Sequence, residues 1–160
     1  MQWFFDLFSN QLLITAVSSW AVAQVVKSII YAIINKKIQF NRLIGDGGMP
    51  SGHSATVTSL ATMSALMFGL SSFEFAVTTV LAIIVCHDAT GVRRETGKQA
   101  VLLNELVKAF EILAKHDLPE VKLKELVGHT PLQVVAGVVT GGIVTLVFCL
   151  IAQLPYACFA

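Results

Sequence analysis

Long apolar runs broken by short polar connections set the plan of this chain. Four stretches are apolar almost throughout: Leu12 to Ile34, Ser54 to Leu70, Phe73 to Val92, and Leu132 to Leu154. A hydrocarbon core about 30 Å thick takes roughly 20 such residues in a helix. Each stretch therefore predicts a transmembrane helix, and the whole predicts one membrane-embedded domain over residues 1–160, all-α in class. In the first stretch Gln24, Lys27, Tyr31 and Asn35 recur at steps of three and four, which puts them on one helical face turned to the bundle interior. The second stretch is rich in Ser, Thr and Ala. The fourth carries Gly137 and Gly141 four apart, a spacing that lets membrane helices approach closely.

Between the third and fourth stretches the pattern changes. From Gln99 to Lys115, Leu103, Leu106, Val107, Phe110 and Leu113 alternate with Asn104, Glu105, Lys108, Glu111 and Lys115. This predicts an amphipathic helix between spans three and four, supported by a Glu111 to Lys115 pair. Only two heptads are present, so a helix lying on the membrane or on the bundle end is favoured over a dimerising coiled coil. Pro119 closes the region, and Val121 to Val127 predicts one more short helical turn before Gly128.

Composition removes the soluble alternatives. Of 160 residues 55% are hydrophobic and only 13% charged, with a mean hydropathy of +0.74, far too apolar for an ordinary soluble domain. The first stretch has no basic region before it and no small-residue cleavage site after it, so it is expected to stay in the mature protein. Cys86, Cys149 and Cys158 lack metal-ligand spacing and are assigned to packing. The net charge of +1 says little; the apolar composition points to the lipid bilayer, and not nucleic acid, as the partner. A four-span bundle is thin, which leaves room for a homodimer.

The placement of charge says more than its sum. Lys36, Lys37 and Arg42 fall between spans one and two, and Arg93, Arg94, Lys98, Lys108, Lys115, Lys122 and Lys124 between spans three and four. The N-terminus, the Ser71 to Glu74 connection and the C-terminus carry no Lys or Arg. The positive-inside rule then predicts cytoplasmic basic connections with both termini outside, although an anion-binding site also recruits cations.

Three clusters carry candidate chemistry. Gly47-Gly48-Met49-Pro50-Ser51-Gly52-His53-Ser54 precedes span two. There Ser51 can cap the helix, free N–H groups favour a phosphate, and His53 can protonate a leaving oxygen. A helix cap followed by an incidental interfacial His reads equally well. His87-Asp88-Ala89-Thr90-Gly91-Val92-Arg93-Arg94 ends span three; its two guanidinium forks suit phosphate oxygens, while His87 and an Asp88–Arg bridge fit a basic stop at the interface. Gly128-His129-Thr130-Pro131 opens span four. His129 can attack phosphorus there, although on its own it more often reads as a surface-loop His, and Pro131 suits a first helical turn. With Lys27 in the second half of span one, the topology brings all of these groups to one face of the membrane.

These residues resemble the type 2 phosphatidic acid phosphatase superfamily, which includes vanadium-dependent haloperoxidases. The resemblance rests on Pro50-Ser51-Gly52-His53 and on Gly128-His129 through Gly137. Asp88 to Arg94, followed by Gly97, Gln99 and Asn104, is similar to its divergent branch, acid phosphatase/vanadium-dependent haloperoxidase-related. It implies His129 as nucleophile and His53 as general acid. Lys27, Ser51, Gly52 and an arginine would form the phosphate cradle, with no metal or other cofactor needed.

The sequence departs from the main family in three places. Position 34, where a motif arginine is expected, is Ile; Lys27 assisted by Arg42 substitutes. Lys122 and Lys124 stand where a Ser-Arg would precede His129, so Arg93 or Arg94 supplies the guanidinium. The Asp expected four residues after the nucleophile is Gln133. Its amide oxygen can orient an imidazole but cannot offset imidazolium charge, so Asp88 is the alternative partner.

The expectation is a phosphatase of lipid monophosphates or diphosphates in a bacterial cell membrane, its site on the cytoplasmic face. A lipid-phosphate-binding protein without turnover is the competing reading. The absence of an inverted repeat argues against a transporter.

Overall fold

The computed structural model of the protein describes residues 2–36, 48–114, 123 and 128–152, and the described residues are helical with no strand. Six helices follow in order: α1 (Gln2–Ser9), α2 (Gln11–Asn35), α3 (Gly52–Phe68), α4 (Phe73–Thr90), α5 (Val92–Ala114) and α6 (Pro131–Ala152). Hydroxyl or amide caps start α2, α3 and α4, satisfying free N–H groups there. The Asn10 side chain accepts from the Leu13 N–H, Ser51 from Ser54, and Ser72 from Phe75.

Among the described residues three segments are long and apolar enough to cross a membrane: Gln11–Asn35, Phe73–Phe110 and Pro131–Ala152. The remaining apolar helix, α3, has 17 residues, about 25 Å at 1.5 Å per residue, and is the hub of the bundle. It packs on α2, α4 and α6; α2 also packs on α6, while α5 packs on α4 alone among the helices.

The bundle is built with small polar groups inside and large apolar ones outside. Thr15, Ser19, Ser54, Ser59 and Thr145 are fully buried, while Ile34, Leu150 and Ile151 are more than 70% exposed. A soluble protein would invert this arrangement; hydrocarbon permits it because polar groups find partners inside. Thus Ser19 Oγ donates to the Ala55 carbonyl at 3.1 Å, and Thr145 Oγ1 lies 3.3 Å from the Ser59 carbonyl and 2.9 Å from that of Gly141.

Close approach of α3 and α6 depends on two glycines. A Cβ at Gly137 would stand 2.5 Å from the Ser51 carbonyl oxygen, and one at Gly141 2.5 Å from that of Ala55. Neither neighbour is a side chain that can swing aside. Gly141→Ala should therefore destabilise the protein by about 1–3 kcal/mol, the usual cost of overpacking. Gly142→Ala, where nothing lies within 4 Å, should be neutral or slightly stabilising. Thermal denaturation of the two variants side by side checks this; equal melting would sink the packing argument.

The structure moves several expected boundaries. Helix α5 begins at Val92 instead of Gln99, and α4 ends at Thr90. The break is confined to Gly91, whose N–H donates to the His87 carbonyl at 2.8 Å. Arg93 and Arg94 therefore occupy the first turn of a helix; charge alone does not interrupt one, and Glu95 pairs with Lys98 at 2.6 Å there. Helix α1, with Trp3, Phe4, Phe5, Leu7 and Phe8 all exposed, is an element the span pattern did not predict. Arg42, the Glu111–Lys115 pair, Cys158 and, apart from Leu123, the expected turn at Val121 to Val127 lie outside the described residues.

Candidate active site

One end of the bundle gathers the ends of four helices. Helix α2 brings Lys27, α3 starts at Gly52, α4 finishes beside Ala89, and α6 starts just after His129. Backbone contacts lock these ends together. The Ser51 N–H donates to the Gln133 carbonyl at 3.0 Å, and the His129 N–H donates to the Ala89 carbonyl at 2.9 Å. Gly128, at φ +87°, lies so close to α5 that an added Cβ would stand 2.5 Å from the Arg94 nitrogen. Only a glycine fits both that conformation and that gap.

The two imidazoles meet at this junction. Their ring centroids are 6.2 Å apart with planes at 77°, near enough for one phosphoryl group to reach both. Their settings differ: His129 is 5% exposed and fixed by its backbone bond to α4, whereas His53 is exposed. A buried, oriented imidazole beside an open one suits a division between nucleophile and proton carrier.

Around them the residues expected to form a phosphate cradle fall into two groups. Lys27 is 5% exposed, and its stem passes under Gly48: a Cβ on that glycine, at φ +95°, would stand 3.2 Å from Lys27 Cγ. Gly52 is buried in the first turn of α3, and Ser51 caps that turn, its hydroxyl 3.3 Å from the Ser54 N–H and 3.0 Å from Ser54 Oγ. Ser51 is fully buried, so its visible task is to cap and shape the start of α3.

Arg93 and Arg94 are exposed on the far rim. Arg93 Nε donates to Asp88 Oδ2 at 2.6 Å. A guanidinium held through Nε keeps its two terminal nitrogens for an anion. Asp88 is thus engaged with Arg93, while His87 is exposed.

Gln133 also has a definite task. Its Oε1 accepts from the Thr130 N–H at 3.0 Å, and the Gln133 N–H reaches Thr130 Oγ1 at 3.4 Å. This reciprocal pair is a capping box at the start of α6. The amide therefore holds the backbone next to His129 in place, one step removed from the ring. Among the described residues no group of three His, Cys, Asp or Glu is placed to hold a metal ion.

Sequence reasoning missed Trp20. It lies one turn before Gln24 on the polar face of α2, and a Cβ at Gly52 would stand 3.4 Å from its Cδ1. The spacing 20, 24, 27 was the available signal. Gln24 is itself buried, and its Oε1 has no hydrogen-bond partner among the described residues; an acceptor buried that way marks a place that a donor from outside the helices can fill.

Comparison with known proteins gives the family of the chain. The Divergent PAP2 family matches residues 8–144, a range that holds every residue of the site. The chain belongs to this family. It is also 42% identical over 151 residues to the uncharacterized membrane protein YuiD of Bacillus subtilis (strain 168), covering 89% of this chain and 96% of that one. No solved structure matches. Membership in the divergent PAP2 family together with three apolar helices makes the chain a multi-pass membrane protein.

Proposed function

We propose that the protein is a membrane lipid phosphatase in which His129 carries the phosphoryl group. The observation that supports this best is the pairing of His53 and His129, 6.2 Å apart, at a helix end beside a buried lysine. In the first step a nitrogen of His129 bonds to phosphorus while the bond to the leaving oxygen breaks. That oxygen keeps the electron pair and takes a proton from His53. In the second step water attacks phosphorus, His53 accepts its proton, and the N–P bond breaks with its electrons returning to His129. Lys27, the Gly52 end of α3 and the rim guanidiniums offset the phosphate charge.

The substrates in view are lipid monophosphates and diphosphates, such as phosphatidic acid, phosphatidylglycerophosphate or a prenyl phosphate. Phosphate release from a panel of these by purified protein, compared with His129→Ala, tests the reading; a silent panel would defeat it. One observation favours a binding protein without turnover: Gln133 stands where a carboxylate partner for His129 is expected, and it is committed to Thr130.

In this reading α3 is the fourth span and the site opens to the cytoplasm, as the basic connections favour. With Cys158 as the sole cysteine, an impermeant thiol reagent should then label intact cells. Protection until the cells are opened would reverse the orientation.

A further inference from the structure

Helices α2 and α4 each pack on α3 but, among the described residues, not on one another. A strip of α3 between them is left uncovered as the floor of a groove of about 340 Å³. His53, Thr56 and Val57 form that floor, Val17 and Trp20 the α2 wall, and Val85 the α4 wall. The Thr56 hydroxyl is spent on the Gly52 carbonyl at 2.8 Å. Below His53 the lining is therefore effectively apolar. The groove starts at the imidazole and runs along α3 past Thr56 and Val57, and Val17 and Trp20 on its α2 wall are exposed.

The chemistry gives the groove a direction. A proton donor stands beside the leaving oxygen and the nucleophile on the opposite side of phosphorus, so whatever the leaving oxygen carries must continue past His53. That is where the groove lies. We propose that it holds a single hydrocarbon chain of the leaving group, entering sideways from the bilayer, with Trp20 as the wall nearest the reacting bond. Its volume sits at the low end of ligand pockets, about 300–1,000 Å³, which matches one chain and not two. The substrate class is then a phosphomonoester of a single-chain lipid alcohol. This assignment rests on the phosphatase reading for its direction, but the groove can be tested without turnover.

The test uses the full chain in nanodiscs with dodecyl phosphate carrying a diazirine in mid-chain. Photolabel should land on peptides containing Val17, Trp20 or Val85 and be displaced by unlabelled dodecyl phosphate. It should be displaced less well by a diacyl phosphatidic acid; equal competition would overturn the one-chain assignment. Val17→Trp fills the groove from an exposed position and should weaken labelling by at least about tenfold, the ratio that loss of two buried methylenes implies. Leu146→Trp, on the outward face of α6, should leave labelling as it is. Label scattered over lipid-facing residues, or indifferent to Val17→Trp, would remove the groove.

Phosphate release from p-nitrophenyl phosphate and from dodecyl phosphate is read alongside. Groove labelling with neither substrate cleaved would fail the phosphatase reading and keep the chain site. His129-dependent cleavage with scattered label would do the reverse.

Discussion

His129→Ala should reduce phosphate release from lipid phosphates by at least about 10⁴-fold, the scale on which losing a covalent nucleophile is felt, while phosphate binding persists. The binding groups do not pass through that ring: Lys27 is held by α2, the N–H groups by α3 and the guanidiniums by α5. His129 is buried, so its removal also leaves a hole, and His129→Asn with a melting curve for each variant separates lost chemistry from lost packing. Acid-labile ³²P on the wild-type chain, absent from both variants, would identify the intermediate. Substantial turnover by a well-folded His129→Ala protein would take His129 out of the mechanism.

His53→Ala should show a different dependence on substrate. With an alkyl phosphate the loss should be about 10²- to 10⁴-fold, the ordinary worth of general acid catalysis. With p-nitrophenyl phosphate it should be slight, because a good leaving group departs without a proton. His53 is exposed, so the substitution disturbs little packing and the contrast reads the chemistry directly. An equal loss on both substrates would mean that His53 binds phosphate and does not deliver the proton.

Much of this site was legible in the sequence because membrane topology is severe. Once the apolar stretches are read as helices, Lys27, Ser51, His53, Asp88 and His129 are forced to one end, and a small tertiary adjustment completes the junction. What was not legible depends on local hydrogen bonding or on gaps between helices. Thr130-Pro131-Leu132-Gln133 has the spacing of a capping box, yet the homologous position of Gln133 drew attention to the ring of His129 instead. The apolar run alone ends at Val92 and does not reveal that one glycine suffices to turn the chain, with the helix resuming at once and Arg93 and Arg94 in its first turn. The groove below His53 has no sequence signature, since it exists only because α2 and α4 fail to meet.

The tight seat of α6 on α3 also bears on the order in which the protein becomes competent. A chain emerges N-terminus first, so Lys27, His53 and the arginines are all made before His129. They cannot form the junction alone: the His129 ring comes with α6, which seats where Gly137 and Gly141 meet the Ser51 and Ala55 carbonyls. A nascent chain that has not yet reached His129 and α6 therefore holds the cations of the candidate site and His53 but lacks the residue that the proposed mechanism uses as nucleophile.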